Sequence, residues 1–137
     1  MPIRFFSEGV DFKLINQRKR IQWINSATRH EGKSVFEINF IFTSDKLLLR
    51  LNSEYLNHQT LTDIITFDYS HEKSISGDIH ISIDRVKENS IKFGCTFQEE
   101  LDRVMIHGVL HLCGYKDKSK SAKQQMRKKE DAYLSLR

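Results

Sequence analysis

Hydrophobic and polar residues alternate along two stretches of the chain, which predicts two half-buried β-strands. Residues 35–43 place four large apolar side chains on one face: Phe36, Ile38, Phe40 and Phe42. Residues 75–83 place four isoleucines on one face: Ile75, Ile79, Ile81 and Ile83. Two further strands are predicted over residues 3–6 and over 62–69, the latter rich in β-branched and aromatic residues. The short polar linker 70–74 predicts that 62–69 and 75–83 pair as an antiparallel hairpin.

Five segments show helical spacing of apolar residues or helix-capping signals, and we expect helices over 14–29, 45–57, 84–94, 97–112 and 121–134. Thr96 with Glu99 predicts a capping box for the fourth helix. Asp84 and Ser121 are the predicted N-caps of the third and fifth helices. In the first helix, we expect the basic triplet at residues 18–20 to face solvent. In the second helix, we expect Tyr55 to be buried.

The order of these elements is β-α-β-α-β-β-α-α-α, which predicts an α+β fold. One mixed sheet of roughly four strands is expected to pack against about five helices. With 137 residues and no linker long enough to divide it, the chain is expected to form a single domain over residues 1–137.

Composition narrows the class of protein. The formal net charge of +4 permits an anionic partner without requiring one. Two cysteines, Cys95 and Cys113, are a poor disulfide framework for a chain of this size, so we expect reduced thiols. The N-terminus lacks the apolar run of a signal peptide, and no segment has the length and hydropathy of a membrane span. We therefore expect a soluble cytoplasmic protein without membrane association.

His107 and His111 are the strongest candidates for chemistry. Residues four apart lie on one face of a helix, so both imidazoles can reach one metal ion. Gly114 permits a left-handed turn that ends the helix and returns the chain, and Asp117 then becomes the third ligand. The alternative is a pair of structural histidines, but the surrounding helix is apolar nearly all round, where ionisable rings are costly unless something binds them. Two imidazoles and one carboxylate leave a position on zinc for water, which is typical of a catalytic site.

The segment with these residues is similar to the motif His-Gly-x-Leu-His-Leu-x-Gly-Tyr-Asp-His of the YbeY family of bacterial rRNA maturation factors. Seven positions match: His107, Gly108, Leu110, His111, Leu112, Gly114 and Tyr115. Two further signatures of the family resemble this chain at Leu51-Asn52-Ser-Glu-Tyr55 with Thr62-Asp63-Ile-Ile-Thr66-Phe67, and at Gly77-Asp78-Ile79. The chain differs from the family pattern at three positions. Asp117 replaces the family's third histidine ligand, Lys116 replaces an aspartate, and Leu56 replaces an arginine implicated in activity.

The resemblance implies a zinc-dependent endoribonuclease that acts on single-stranded RNA in 16S rRNA processing, ribosome biogenesis and quality control. Together with the metal chemistry of the motif, it predicts one Zn²⁺ per chain held by His107, His111 and Asp117, with the two histidines as the catalytic residues. We expect metal-bound water as the attacking group, and the 2′-hydroxyl of the RNA is the alternative. It also implies rRNA, the small ribosomal subunit and its assembly factors as partners. By resemblance Asp63 and Thr66 line the cleft, together with Tyr115.

Basic residues after the metal loop are candidates for RNA binding, although they also suit an ordinary solvated helix: Lys116, Lys118, Lys120 and Lys123. Two other functions remain open. One is a non-catalytic ribosome-assembly factor with a structural metal, which a fourth protein ligand would favour. The other is a zinc hydrolase for another substrate. A metzincin-type protease is disfavoured because Gly108 occupies the position of its glutamate base.

Overall fold

A mixed four-stranded sheet forms the centre of the computed structural model, which describes residues 2–57 and 61–137. The strands are β1 (Ile3–Ser7), β2 (Ser34–Thr43), β3 (Ile64–Asp68) and β4 (Ser74–Ser82). Their order in the sheet is β1-β2-β4-β3. Strand β1 pairs in parallel with β2, and β2 pairs in parallel with β4. Strand β3, at one edge, pairs antiparallel with β4. The predicted mixed sheet and its hairpin are confirmed.

Five helices pack around this sheet and complete the predicted α+β domain: α1 (Gln17–His30), α2 (Asp45–Leu56), α3 (Ile83–Phe93), α4 (Phe97–Leu112) and α5 (Lys120–Leu134). The core lies between the sheet and helices α1 and α4. In the part of the chain that the structure describes, no helix is long and apolar enough to cross a membrane.

Helix α4 is the most buried helix, and glycines let it approach the sheet closely. The predicted capping box is present at its start, where the Thr96 side chain accepts from the Glu99 amide and the Glu99 side chain accepts from the Thr96 amide. A Cβ atom at Gly108 would lie 2.9 Å from Ile79 Cγ2 and 3.0 Å from Ile64 Cδ1, closer than packing allows. A glutamate therefore does not fit at position 108, which agrees with the absence of a protease base.

One strand departs from simple alternation. The pairing of β2 with β4 shifts register between Val35 and Glu37, which marks a β-bulge. The bulge turns Phe36 outward, and this side chain is 73% exposed. Its predicted place on the buried face is therefore wrong, whereas Ile38, Phe40 and Phe42 are fully buried as expected.

Two predictions of burial are also wrong. Arg20 does not face solvent like its neighbours in the basic triplet, because its guanidinium pairs with the buried Asp102 carboxylate through Nε at 3.0 Å and Nη2 at 3.2 Å. Tyr55 is 66% exposed, and its ring makes an edge contact with the ring of Phe67 on the edge strand β3. Helix α2 buries Leu48 and Asn52 instead.

Two predicted N-caps are wrong, each by two residues. Ser82, not Asp84, is the N-cap of α3, and its hydroxyl accepts from the Arg85 amide. Ser119, not Ser121, is the N-cap of α5, and its hydroxyl accepts from the Ala122 amide. In both cases, a serine two residues before the predicted N-cap accepts from an amide of the first turn.

Candidate metal centre and cleft

The three predicted ligands converge at the C-terminal end of α4. The Nε2 atoms of His107 and His111 lie 3.0 Å apart, and Asp117 Oδ2 lies 3.2 Å from each. Tetrahedral bonds of about 2.0–2.1 Å to zinc place ligand atoms about 3.3 Å apart, so these separations fit one ion. Among the described residues, this group of three side chains can hold a metal ion.

The hydrogen bonds of the two Nδ1 atoms determine whether the Nε2 atoms have free lone pairs. His111 Nδ1 lies 3.0 Å from the backbone carbonyl oxygen of Tyr115. A carbonyl oxygen only accepts, so Nδ1 donates and a neutral His111 ring leaves the Nε2 lone pair free. His107 Nδ1 likewise lies 2.6 Å from the Glu130 carboxylate and donates to it. Partners of this kind fix the tautomer of metal-binding histidines.

Three acceptor atoms therefore face one another at 3.0–3.2 Å when both rings are neutral. Lone pairs held at this separation repel unless a cation lies between them. The donor set thus fits a metal ion on chemical grounds as well as by distance. His71 and His80 do not belong to this group.

Glu130 is a site residue that spacing along the sequence does not indicate. It lies on α5, 23 residues after His107, and is 5% exposed. Arg103 Nη1 donates to its other carboxylate oxygen at 2.9 Å. Burial lowers the pKa of His107, but the hydrogen bond and negative charge of Glu130 outweigh burial and raise the pKa above its ordinary value.

The loop that carries Asp117 is anchored through Tyr115. Gly114 adopts a φ of +107°, which glycine tolerates, and so turns the chain back as predicted. The Tyr115 hydroxyl then donates to Glu31 Oε1 at 2.6 Å. Tyr133 and Lys129 of α5 donate to the other oxygen of the same carboxylate. Burial raises the pKa of Glu31, but these three hydrogen bonds and the Lys129 charge prevail and lower it.

An open cleft of about 1050 Å³ surrounds the metal group. Its floor is one face of α4, from Glu100 to His111. One wall is the edge strand β3 with the residues before it, and the other is formed by the metal loop and α5. Six of the residues predicted near the site line this cleft: Asp63, Thr66, Tyr115, Lys116, Lys118 and Lys123. Lys120, the seventh, is exposed but does not line it.

The cleft is bordered by Arg127, whose charge interacts with Glu100, and by three lysines whose side chains have no partner among the described residues: Lys116, Lys118 and Lys123. Each is exposed. On the opposite wall, burial raises the pKa of Asp63 above its ordinary value, which weakens its negative charge, and Asp68 of β3 is a second carboxylate there. The exposed cations of the metal loop and α5 therefore favour an anionic ligand on their side of the cleft.

Cys113 is packed and does not belong to the metal group. Burial raises the pKa of its thiol to about 11, so the thiol stays protonated near neutral pH. This agrees with the expectation of a reduced, packed cysteine. Neither cysteine forms a disulfide.

The fold and the site define an α+β protein whose central buried helix presents two histidines, and whose following loop adds a carboxylate, at the floor of an open cleft. The family model described as "Endoribonuclease YbeY" matches residues 6–136, and the chain belongs to this family. The family indicated by the sequence motifs is thereby confirmed.

Relatives match over nearly the whole chain. A protein of Flavobacterium psychrophilum named Endoribonuclease YbeY is 53% identical over 131 residues, which cover 96% of this chain and 94% of the relative. A protein of the same name from Bacteroides thetaiotaomicron is 41% identical over 137 residues, the full length of both. A solution structure of a Thermotoga maritima protein is 30% identical with a TM-score of 0.71, covering 97% of this chain and 87% of that one.

Proposed function

We propose that this protein is a zinc-dependent endoribonuclease that cleaves single-stranded RNA during rRNA maturation. The observation that carries the proposal is the convergence of three acceptor atoms, from His107, His111 and Asp117, in a cleft bordered by exposed cations. The names of the relatives support endonucleolytic cleavage of RNA. The implied partners are rRNA and the small ribosomal subunit with its assembly factors, and the implied compartment is the cytoplasm.

Zinc, when bound, polarises a phosphoryl oxygen and makes a coordinated water more acidic. Residues of this chain orient the ligands that would hold the zinc. Glu130 and the Tyr115 carbonyl hold the two rings with their Nε2 atoms inward. Asp117 contributes a carboxylate, so two neutral donors and one anionic donor form the ligand set.

The cations of the cleft bind and orient the substrate. Lys116, Lys118 and Lys123 lie on the metal-loop and α5 wall, where they can pair with successive phosphates. A single strand suits this cleft because its bases are unpaired and free to contact side chains on the opposite wall. Positioning and charge stabilisation are the main contributions that a protein makes to phosphodiester cleavage.

Three protein ligands favour catalysis over a purely structural metal. Among the described residues, the group contains no fourth protein donor, and structural zinc sites are almost always closed by four. A metal ion in a catalytic site keeps one coordination position for water or substrate. We therefore prefer the enzyme to a non-catalytic ribosome-assembly factor.

The proposal is tested by cleavage of a labelled single-stranded RNA with zinc-loaded protein. We expect cleavage by the wild type, loss of at least about 100-fold in His107→Ala, and no loss in His71→Ala, which removes an exposed histidine outside the group. A chelator should abolish cleavage, and zinc should restore it. Wild-type cleavage rates in His107→Ala would contradict the proposal, and RNA binding without any cleavage would favour the non-catalytic assembly factor.

A further inference from the structure

Phe93, the last residue of α3, exposes an aromatic ring in the cleft that contains the metal group. The residue is 60% exposed and lines the cleft together with Leu56 and Arg127. Ile91 on the same helix is 75% exposed but does not line it. Single exposed apolar residues are common on protein surfaces, so Ile91 needs no explanation. Phe93 differs from Ile91 because it lies among cations inside the proposed substrate cleft, and this position needs an explanation.

Phe93 lies toward the end of the cleft that is remote from the metal group. Together with Glu100 and Arg127, it also lines an adjoining cavity that contains neither metal-binding histidine. Glu100 and His107 are both on the floor formed by α4, and seven residues of helix separate them by about 10 Å. A strand that reaches the metal group therefore has to extend beyond the reacting nucleotide to reach Phe93.

The surroundings of the ring suit a nucleotide. Arg127 is exposed, and its side chain makes no hydrogen bond with a described residue, although its charge interacts with Glu100 at longer range. Lys92 Nζ lies 5.9 Å from the centroid of the Phe93 ring and adds a second positive charge. Burial raises the pKa of the neighbouring Glu100, which weakens the negative charge at this end. An aromatic face beside exposed cations is the arrangement that binds single-stranded nucleic acid, because every base can stack and every phosphate is anionic.

We propose that Phe93 and Arg127 form a nucleotide subsite at the remote end of the cleft. A base of the bound strand stacks on the Phe93 ring, and the adjacent phosphate pairs with the Arg127 guanidinium. The subsite rests on the proposed function, since it takes single-stranded RNA as the ligand of the cleft. It binds a nucleotide that is not the one cleaved, so its contribution is to substrate affinity and to the minimum length of RNA that binds well.

The test compares zinc-loaded variants by fluorescence anisotropy with a labelled single-stranded RNA, and by kcat and KM for its cleavage. We expect Phe93→Ala to weaken binding and raise KM by about tenfold with kcat nearly unchanged, as loss of one stacked base predicts. Phe93→Tyr should retain near-wild-type affinity because its ring still stacks. Ile91→Ala, the matched control on the same helix, should behave as the wild type.

Arg127→Gln tests the phosphate contact. Its slope of log K against log salt should fall by about 0.7, the value for one phosphate on a single strand. Arg18→Gln, an exposed arginine on α1, should leave the slope unchanged. An RNA scanned with abasic nucleotides should show one position, away from the cleavage site, where loss of the base weakens the wild type but not Phe93→Ala.

The outcomes separate this proposal from the proposed function. If Phe93→Ala binds RNA like Ile91→Ala while the wild type cleaves, the subsite is wrong and the enzyme stands. If the wild type binds RNA without cleaving it, the enzyme is wrong, and the binding data still decide the subsite. If the wild type neither binds nor cleaves single-stranded RNA, both are wrong. Tighter binding to an acidic peptide than to RNA, lost in Phe93→Ala, would assign the surface to a protein partner and overturn the subsite.

Discussion

The Nδ1 atom of His107 lies 2.6 Å from Oε2 of Glu130, a carboxylate on a different helix. This contact fixes the orientation of the His107 ring and makes its Nε2 atom a stronger ligand for a metal ion. We predict that Glu130→Gln weakens zinc binding by about 10- to 100-fold, the usual effect of removing such a partner. Competition with a chromophoric chelator measures it.

Asp131→Asn is the matched control for this change. Asp131 accepts from Arg103 Nη2 at 2.7 Å, as Glu130 accepts from Nη1, but it does not contact His107. Both variants disturb the Arg103 ion pair, and only Glu130→Gln removes the carboxylate from the ring. Equal zinc affinities in the two variants would show that Glu130 acts only through Arg103.

Tyr115 and Tyr133 donate to the same carboxylate, Glu31, but only Tyr115 belongs to the metal loop. We predict that Tyr115→Phe lowers the free energy of unfolding by about 1–2 kcal/mol, since a hydrogen bond to a charged group is lost. It should also weaken zinc binding by up to about tenfold, because the loop that carries Asp117 is less well held. Tyr133→Phe should lower stability without that effect on zinc. Identical zinc affinities in the two variants would contradict the anchoring role of Tyr115.

Lys123 lines the cleft, whereas Lys120, one turn earlier on α5, does not. We predict that Lys123→Gln weakens single-stranded RNA binding and lowers the slope of log K against log salt by about 0.7, whereas Lys120→Gln changes neither. Both variants have the same net charge, so a non-specific charge effect is controlled. Equal slopes for the two would remove the α5 wall from the RNA-binding surface.

Asp45 links α2 to α3 by accepting from Arg85 Nη2 at 2.9 Å and from the Ser82 hydroxyl at 2.7 Å. Burial raises the pKa of Asp45, but the hydrogen bonds from Arg85 and Ser82 and the charge of Arg85 lower it overall. A lowered pKa in the folded state means that the stabilisation is fully present above the pKa of the unfolded chain. It is lost as the pH falls through the pKa of the folded chain.

We therefore predict that Asp45→Asn lowers the free energy of unfolding by about 1–2 kcal/mol near pH 7. The difference from the wild type should shrink below about pH 4 and vanish at lower pH, where both side chains are neutral. Urea unfolding across this range measures it. A difference that stays constant with pH would assign the loss to packing instead of to charge.

Much of the fold was predictable because its signals are local. Alternation over β2 and β4 has a period of two whatever the rest of the chain does, and the capping box before α4 lies within four residues. The bulge at Phe36 was not predictable, since nothing in the local sequence distinguishes an inserted residue from the next alternating one. The burial of Arg20 depends on Asp102, 82 residues away, and so has no local signal either.

The same distinction applies to the site. His107, His111 and Asp117 lie within eleven residues, so their spacing on a helix and the following turn was enough to group them. Glu130 and Glu31 reach the site only because α5 and α1 pack against the metal loop and α4. Lys123 lines the cleft and Lys120 does not, and this difference likewise depends on the direction in which α5 crosses the cleft. Tertiary packing determines all three.

The central claim is that His107, His111 and Asp117 bind one metal ion. Elemental mass spectrometry tests it on untagged wild-type protein, on Asp117→Ala and on Asp11→Ala, which removes an exposed aspartate outside the group. After zinc is supplied and excess removed, we predict about one zinc per chain in the wild type and in Asp11→Ala, and a large loss in Asp117→Ala. A wild type without metal, or an Asp117→Ala variant that keeps its full complement, would contradict the account.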